Sequence, residues 1–200
     1  MLCNVEFNIS YIFVTLLMYL LYKAGSIEGF TSRSVKYYVA DSNIDPQFKQ
    51  QTENILQNSN WKTYRSFQQA DSEQDANVVI RLVSDKELDW LHSEPKYYPD
   101  GKQVRFSYTV QSSDMSPEIY INSKNWLYGV KESGLSLDEY RTYVINHEFG
   151  HALGYHHQPC NTGRCPVMYQ STRGCPEGTV CGFQPNNADL NKKIKNRYFD

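Results

Sequence analysis

The stretch His147-Glu148-Phe149-Gly150-His151-Ala152-Leu153-Gly154-Tyr155-His156-His157 decides how this chain is read. It satisfies the spacing H-E-x-x-H-x-x-G-x-x-H, with His147, Glu148, His151, Gly154 and His157 at the fixed positions. Residues four apart on a helix are neighbours, so His147 and His151 can present both imidazoles to one ion. Gly154 ends the helix, since a residue free to take positive φ lets the chain reverse without a Cβ clash, and the reversal returns His157 to the other two histidines. Three nitrogens leave one tetrahedral position of a Zn2+ open to water, and Glu148, which is not a ligand, is placed to act as general base on that water. Five fixed residues, each matched by chance about one time in twenty, meet in roughly 10⁻⁴ of chains this long, so the spacing is treated as a site. His156 is the one competitor for His157. His92 has nothing beside it to complete a set.

Upstream of the motif, Ser136 with Glu139 three residues on is a capping box that starts the helix. Leu137, Tyr140, Val144, His147 and His151 then follow at steps of three and four, which predicts one stripe turning from apolar to ligating. Residues 35–40 (VKYYVA) read as a strand, and Asp45-Pro46 opens a helix to about Gln57 with Phe48, Ile55 and Leu56 inward. Residues 61–67 and 77–83 (NVVIRLV) are the next strands, the second apolar enough for the centre of a sheet. A loop at residues 93–102 precedes strands at 104–110 and 118–122 (EIYIN), and strands mixed with helices predict an α+β fold. Leu190, Ile194 and Tyr198, four apart within residues 187–199, predict a C-terminal helix packed behind the site.

The chain has 200 residues, enough for one domain with its own core. Twenty Lys and Arg against 22 Asp and Glu, with no basic block, exclude nucleic acid as a partner. Residues 9–22 (ISYIFVTLLMYLLY) are apolar and uncharged, and Lys23 follows. The run fits a signal-peptide core and, extended upstream to Val5, nears the roughly 20 residues that span a bilayer. The leader MLCNVEFN has no Lys or Arg, and Ala24-Gly25-Ser26 is a poor cleavage site, so an uncleaved single-pass anchor is favoured over a secreted form. Both place the domain outside the cytosol. The division is a leader or anchor at 1–25, a linker at 26–34 and a catalytic domain at 35–200.

Cys160, Cys165, Cys175 and Cys181 share one Gly/Pro-rich stretch, apart from Cys3 in the leader. An even set lacking C-x2-C pairs reads as two disulfides rather than a zinc knuckle. Of three pairings, Cys160 with Cys165 and Cys175 with Cys181 is favoured, because near neighbours close small loops easily.

With Cys165-Pro166-Val167-Met168-Tyr169 downstream of it, the long histidine motif resembles the metzincin clan of zinc endopeptidases. A closer resemblance, over residues 35–181, is to a family of largely uncharacterised, secreted, metzincin-like bacterial proteins. It runs through the strand, the helix, Trp61, NVVIRLV, EIYINSKNW, NHEFGHALGYHH and PVMYQ, of which the last two are the specific parts. The resemblance implies a mixed twisted sheet, an active-site helix, a Met-turn with Met168 beneath the metal, a C-terminal helix and one Zn2+ per chain. Tyr169 stands directly after the Met, where several metzincins have a zinc-proximal Tyr two residues after it, so no tyrosine ligand is carried over. In metzincins a strand upstream of the helix pairs with extended substrate, and residues 118–122 are the matching segment, with a plain edge strand as the alternative. The expected function is a zinc metalloendopeptidase acting on peptide or protein substrates. A zinc amidase on a non-protein amide and a catalytically silent zinc fold used for binding are the alternatives, and the presence of Glu148 argues against the second.

Overall fold

Along Val35–Val39 (β1) the residues Val35, Tyr37 and Val39 are buried and alternate with Lys36 and Tyr38, which are not, as a strand with one core face requires. Phe48–Gln57 (α1) carries the chain to Phe67–Gln69 (β2), which lies parallel to β1. Val78–Val83 (β3) is buried at every position but Arg81 and pairs in parallel with the other side of β1. Asp85–Leu91 (α2), a hairpin of Lys96–Tyr97 (β4) and Gln103–Val104 (β5), and Tyr108–Val110 (β6) lead on to Glu118–Asn122 (β7). Ser123–Tyr128 (α3) and Leu137–Ala152 (α4) follow, and Gly163–Arg164 (β8) pairs with Thr179–Val180 (β9). This computed structural model describes residues 34–91, 96–97, 103–104, 106–111 and 116–189.

The main sheet has the order β2-β1-β3-β7-β6, the first four strands parallel and β6 antiparallel to β7. The protein is therefore α+β with a mixed sheet, and β3 is its centre, as its apolar run requires. Ile80 lies opposite Ile119 and Leu82 opposite Ile121, and these join Val35, Val78, Phe48 and Trp126 in the core on the face where α1 and α4 pack. Each such buried aliphatic or aromatic side chain contributes roughly 1.5–3 kcal/mol against leaving it in water. Ser136 and Glu139 form the expected capping box, with Glu139 Oε2 accepting the Ser136 backbone N–H at 2.9 Å.

Several expectations are corrected. Residues 61–67 are not one strand: Asn60–Thr63 is a 3-10 turn capped by Ser59, whose Oγ accepts the N–H of Trp61, and pairing starts only at Phe67. Residues 104–110 divide between the β4–β5 hairpin and β6. Residues 118–122 are no edge, since β7 is paired on both sides, by β3 and β6; among the described residues β6 is the outer strand on this side of the sheet, as β2 is on the other. The single-pass anchor is also corrected: among the described residues no helix is long and apolar enough to cross a membrane. The longest, α4, has 16 residues and carries Asp138, Glu139, Arg141 and Glu148, short of the roughly 20 apolar residues a bilayer needs. The apolar run at 9–22, Cys3, most of the linker, His92 and all but the start of the 187–199 segment lie outside the described residues.

Candidate metal centre

The second half of α4 is buried on all sides rather than along one stripe, with Tyr143 to Gly150 enclosed without a break. The sheet covers one side and the segment after the helix covers the other. Gly154, at φ 93°, turns the chain back, and its N–H bonds the carbonyl of His151 at 2.8 Å. After the reversal Gln158 N–H meets the carbonyl of Met168 at 3.0 Å, so residues 157–158 run alongside the Met168 turn. The disulfides Cys160–Cys165 and Cys175–Cys181 are the favoured pairing, with Cα atoms 5.0 and 5.6 Å apart, and the first closes the loop between His157 and Met168.

His147, His151 and His157 come together, and His156, exposed beside them, does not join the group. A tetrahedral centre with Zn–N bonds of about 2.0–2.1 Å sets its nitrogens roughly 3.3 Å apart. The three Nε2 atoms stand 3.2 Å apart on every side of their triangle. His147 Nδ1 donates to the carbonyl of Val167 at 2.7 Å and His151 Nδ1 to the carbonyl of Tyr155 at 2.8 Å. A carbonyl only accepts, so in the neutral rings the proton sits on Nδ1 and both Nε2 atoms carry bare lone pairs. Lone pairs facing each other at that distance repel, and a cation between them removes the repulsion.

Burial pushes the His147 imidazole well below the ordinary histidine range, and the neighbouring His151 lowers it further. Burial likewise brings His151 down to about 4, and His157 is lowered by burial first and by Arg173 second. Neutral imidazoles are what a metal needs.

Glu148, 6 % exposed, stands outside the histidine group. Burial raises its carboxyl to about 7, although a hydrogen bond of 2.6 Å from Thr109 Oγ1 to Oε2 works in the opposite direction. Thr109 belongs to β6, and Gln111, just beyond that strand, donates to the His151 carbonyl, so the outer strand is tied along α4.

Met168 is fully buried beneath α4, and its turn is held by Asp189, whose carboxylate accepts the N–H groups of Met168 at 2.9 Å and Val167 at 3.2 Å. Burial raises the Asp189 carboxyl despite these donors. Gly150 lies against this packing: a Cβ there would stand 2.9 Å from the Trp61 ring and nearer still to Met168 Sδ. Gly150→Ala is therefore expected to cost roughly 1–3 kcal/mol through overpacking. A denaturant midpoint equal to wild type would refute it.

Sequence reasoning missed Thr109, Gln111, Tyr143, Asn146 and Asp189. Tyr143 Oη donates to the Tyr169 carbonyl at 3.2 Å and accepts Ser171 N–H at 2.9 Å, and its ring is 5.2 Å from that of His147. Asn146 donates to the Phe183 carbonyl at 3.1 Å and accepts from Ser59, and its own carbonyl accepts Trp61 Nε1–H at 2.9 Å. Only Asn146 had a signal, its place directly before the motif.

The profile of a family described as protein of unknown function (DUF3152) matches residues 36–198. The chain belongs to this family. None of the curated proteins matches it. The DUF3152 match spans every element described above except the first residue of β1 and includes the whole histidine group, Glu148, Met168 and Asp189.

Proposed function

We propose that this DUF3152 chain is a zinc-dependent metalloendopeptidase of the metzincin type. The observation that carries this reading is the triangle of Nε2 atoms, 3.2 Å on each side, with the Nδ1 protons of His147 and His151 fixed on backbone carbonyls. His147, His151 and His157 hold the ion, and the all-nitrogen donor set with tetrahedral spacing suits zinc. Zinc, when bound, supplies Lewis-acid polarisation of a carbonyl and lowers the pKa of water to about 7.

The remaining chemistry belongs to the chain. Glu148 is the general base: its carboxylate takes a proton and returns it to the departing amine nitrogen. Thr109 holds Oε2, which leaves Oε1 for that exchange. Burial raises that carboxyl to about 7, which suits a group that must both take up and give back a proton near neutral pH. The outer strand β6 has no strand on its far side among the described residues, and an extended peptide adds there by main-chain hydrogen bonds. This moves the substrate strand from residues 118–122 to Tyr108–Val110. Met168 and its turn, pinned by Asp189, brace His147 through the Val167 carbonyl.

The test is an unbiased peptide-library digest with purified protein. Cleavage that stops on chelation and returns with added zinc is the expected result. No cleavage by zinc-loaded protein, or cleavage indifferent to chelator, overturns the reading.

A further inference from the structure

Ser171–Arg173 is a single 3-10 turn whose first two residues are buried and whose third is exposed. Ser171 N–H is bound by Tyr143, and Thr172 hydrogen-bonds Tyr140 and Tyr143, so the backbone carrying Arg173 is fixed to α4. Its guanidinium lies 5.5 Å from the centroid of the Phe106 ring. Such stacking holds a cation in place without neutralising it. Phe106 precedes Thr109 by three residues, so its Cα lies at most about 11 Å from that of the residue that holds Glu148. On the other side the turn is bonded to Tyr143, whose ring is 5.2 Å from that of His147. Among the described residues no carboxylate lies within ion-pair distance of Arg173.

Among the described residues, an exposed cation without a carboxylate partner is thus held on a rigid turn between the histidine group and the chain leading into β6. A guanidinium resting its face on an aromatic ring still presents its N–H fork, which matches a carboxylate in two parallel hydrogen bonds. We infer that Arg173 selects a carboxylate on the bound peptide, an acidic side chain or a free C-terminus, within a few residues of the bond to be cut. The inference rests on the peptidase reading for its substrate class.

The test separates the two. Fluorescein-labelled eight-residue peptides, differing at one position as Asp, Asn or Lys and ending in a free or amidated C-terminus, are titrated by anisotropy into zinc-loaded full-length Glu148→Gln protein. The expected result is Asp, or the free C-terminus, bound roughly three- to tenfold more tightly than its neutral counterpart. Arg173→Gln should erase that ratio and Arg173→Glu should turn the preference toward Lys. Which pair shows the effect distinguishes side chain from terminus. The same ratio in Arg173→Gln as in the parent overturns the inference, as does an absence of binding by every peptide. If wild type cleaves nothing while the ratio responds to Arg173, the hydrolytic reading falls and this one stands. Cleavage without charge preference does the reverse.

Discussion

Glu148→Gln is expected to abolish most hydrolysis, by at least the ~10²-fold typical of a lost general base, while fold and zinc content remain. The amide is nearly isosteric with the carboxylate, and the carboxylate is not one of the grouped ligand atoms. Thr109 lies 2.6 Å from Oε2 and can donate equally well to an amide oxygen, so the side chain stays where it is. What the amide lacks is a site for the proton. Steady-state cleavage, zinc content by atomic emission and thermal unfolding of the two proteins decide the matter. A parallel loss of zinc would mean that Glu148 holds the centre together, and equal cleavage would remove it from the reaction.

The parts of the fold readable in the sequence were those whose signals are local. NVVIRLV is apolar over its whole length, and such a run can be stable only where both faces are covered, which is where β3 lies. The start of α4 was readable because Ser136 and Glu139 satisfy each other's exposed groups within one turn, and its end because Gly154 takes a positive φ. Trp61 was misread because an aromatic cluster favours strands on average, whereas here Ser59 caps a 3-10 turn and the indole is drawn in to Asn146. The short helices α2 and α3, of seven and six residues, have too few turns to show a period, although the Asn122 side chain caps α3.

Strand order shows a different limit. Nothing in EIYIN says that β6 will fold back against it, because the 108–110 strand reaches it through residues that leave no local mark of pairing. The outer strand was therefore placed one strand too far inward. The stripe expected on α4 is covered at every position but is only part of what the helix buries, for a similar reason: periodicity reports one partner surface, and this helix has two, the sheet and the segment containing Val167, Met168 and Phe183. The three histidines were legible because a metal demands fixed spacing. Thr109, 39 residues from Glu148, and Asp189, 21 residues from Met168, were not, since their contacts exist only once the chain is folded.

His157→Ala should cut zinc affinity by more than the 10- to 100-fold that even outer partners of a ligand are worth, while His156→Ala leaves it near wild type. Residues 156 and 157 are adjacent and both exposed, yet only His157 Nε2 reaches the 3.2 Å triangle. Acid should release the metal late. A histidine whose pKa is lowered in the fold stays neutral, and open to the ion, until pH falls to that lower value. His151 is held near 4, and His147 and His157 are lowered too, each by burial first. Zinc affinity is therefore expected to begin falling only below the range of a site built from ordinary histidines near 6.5, with the His151 step near 4. By the same sign the metal-free fold loses stability as pH drops from about 6.5 through about 4, because the unfolded chain takes up those protons first. Competition with a chromophoric chelator across this range reads the affinity directly. Release centred at 6.5 would show that the imidazoles are not desolvated, and His156→Ala losing zinc while His157→Ala keeps it would move the third ligand by one residue.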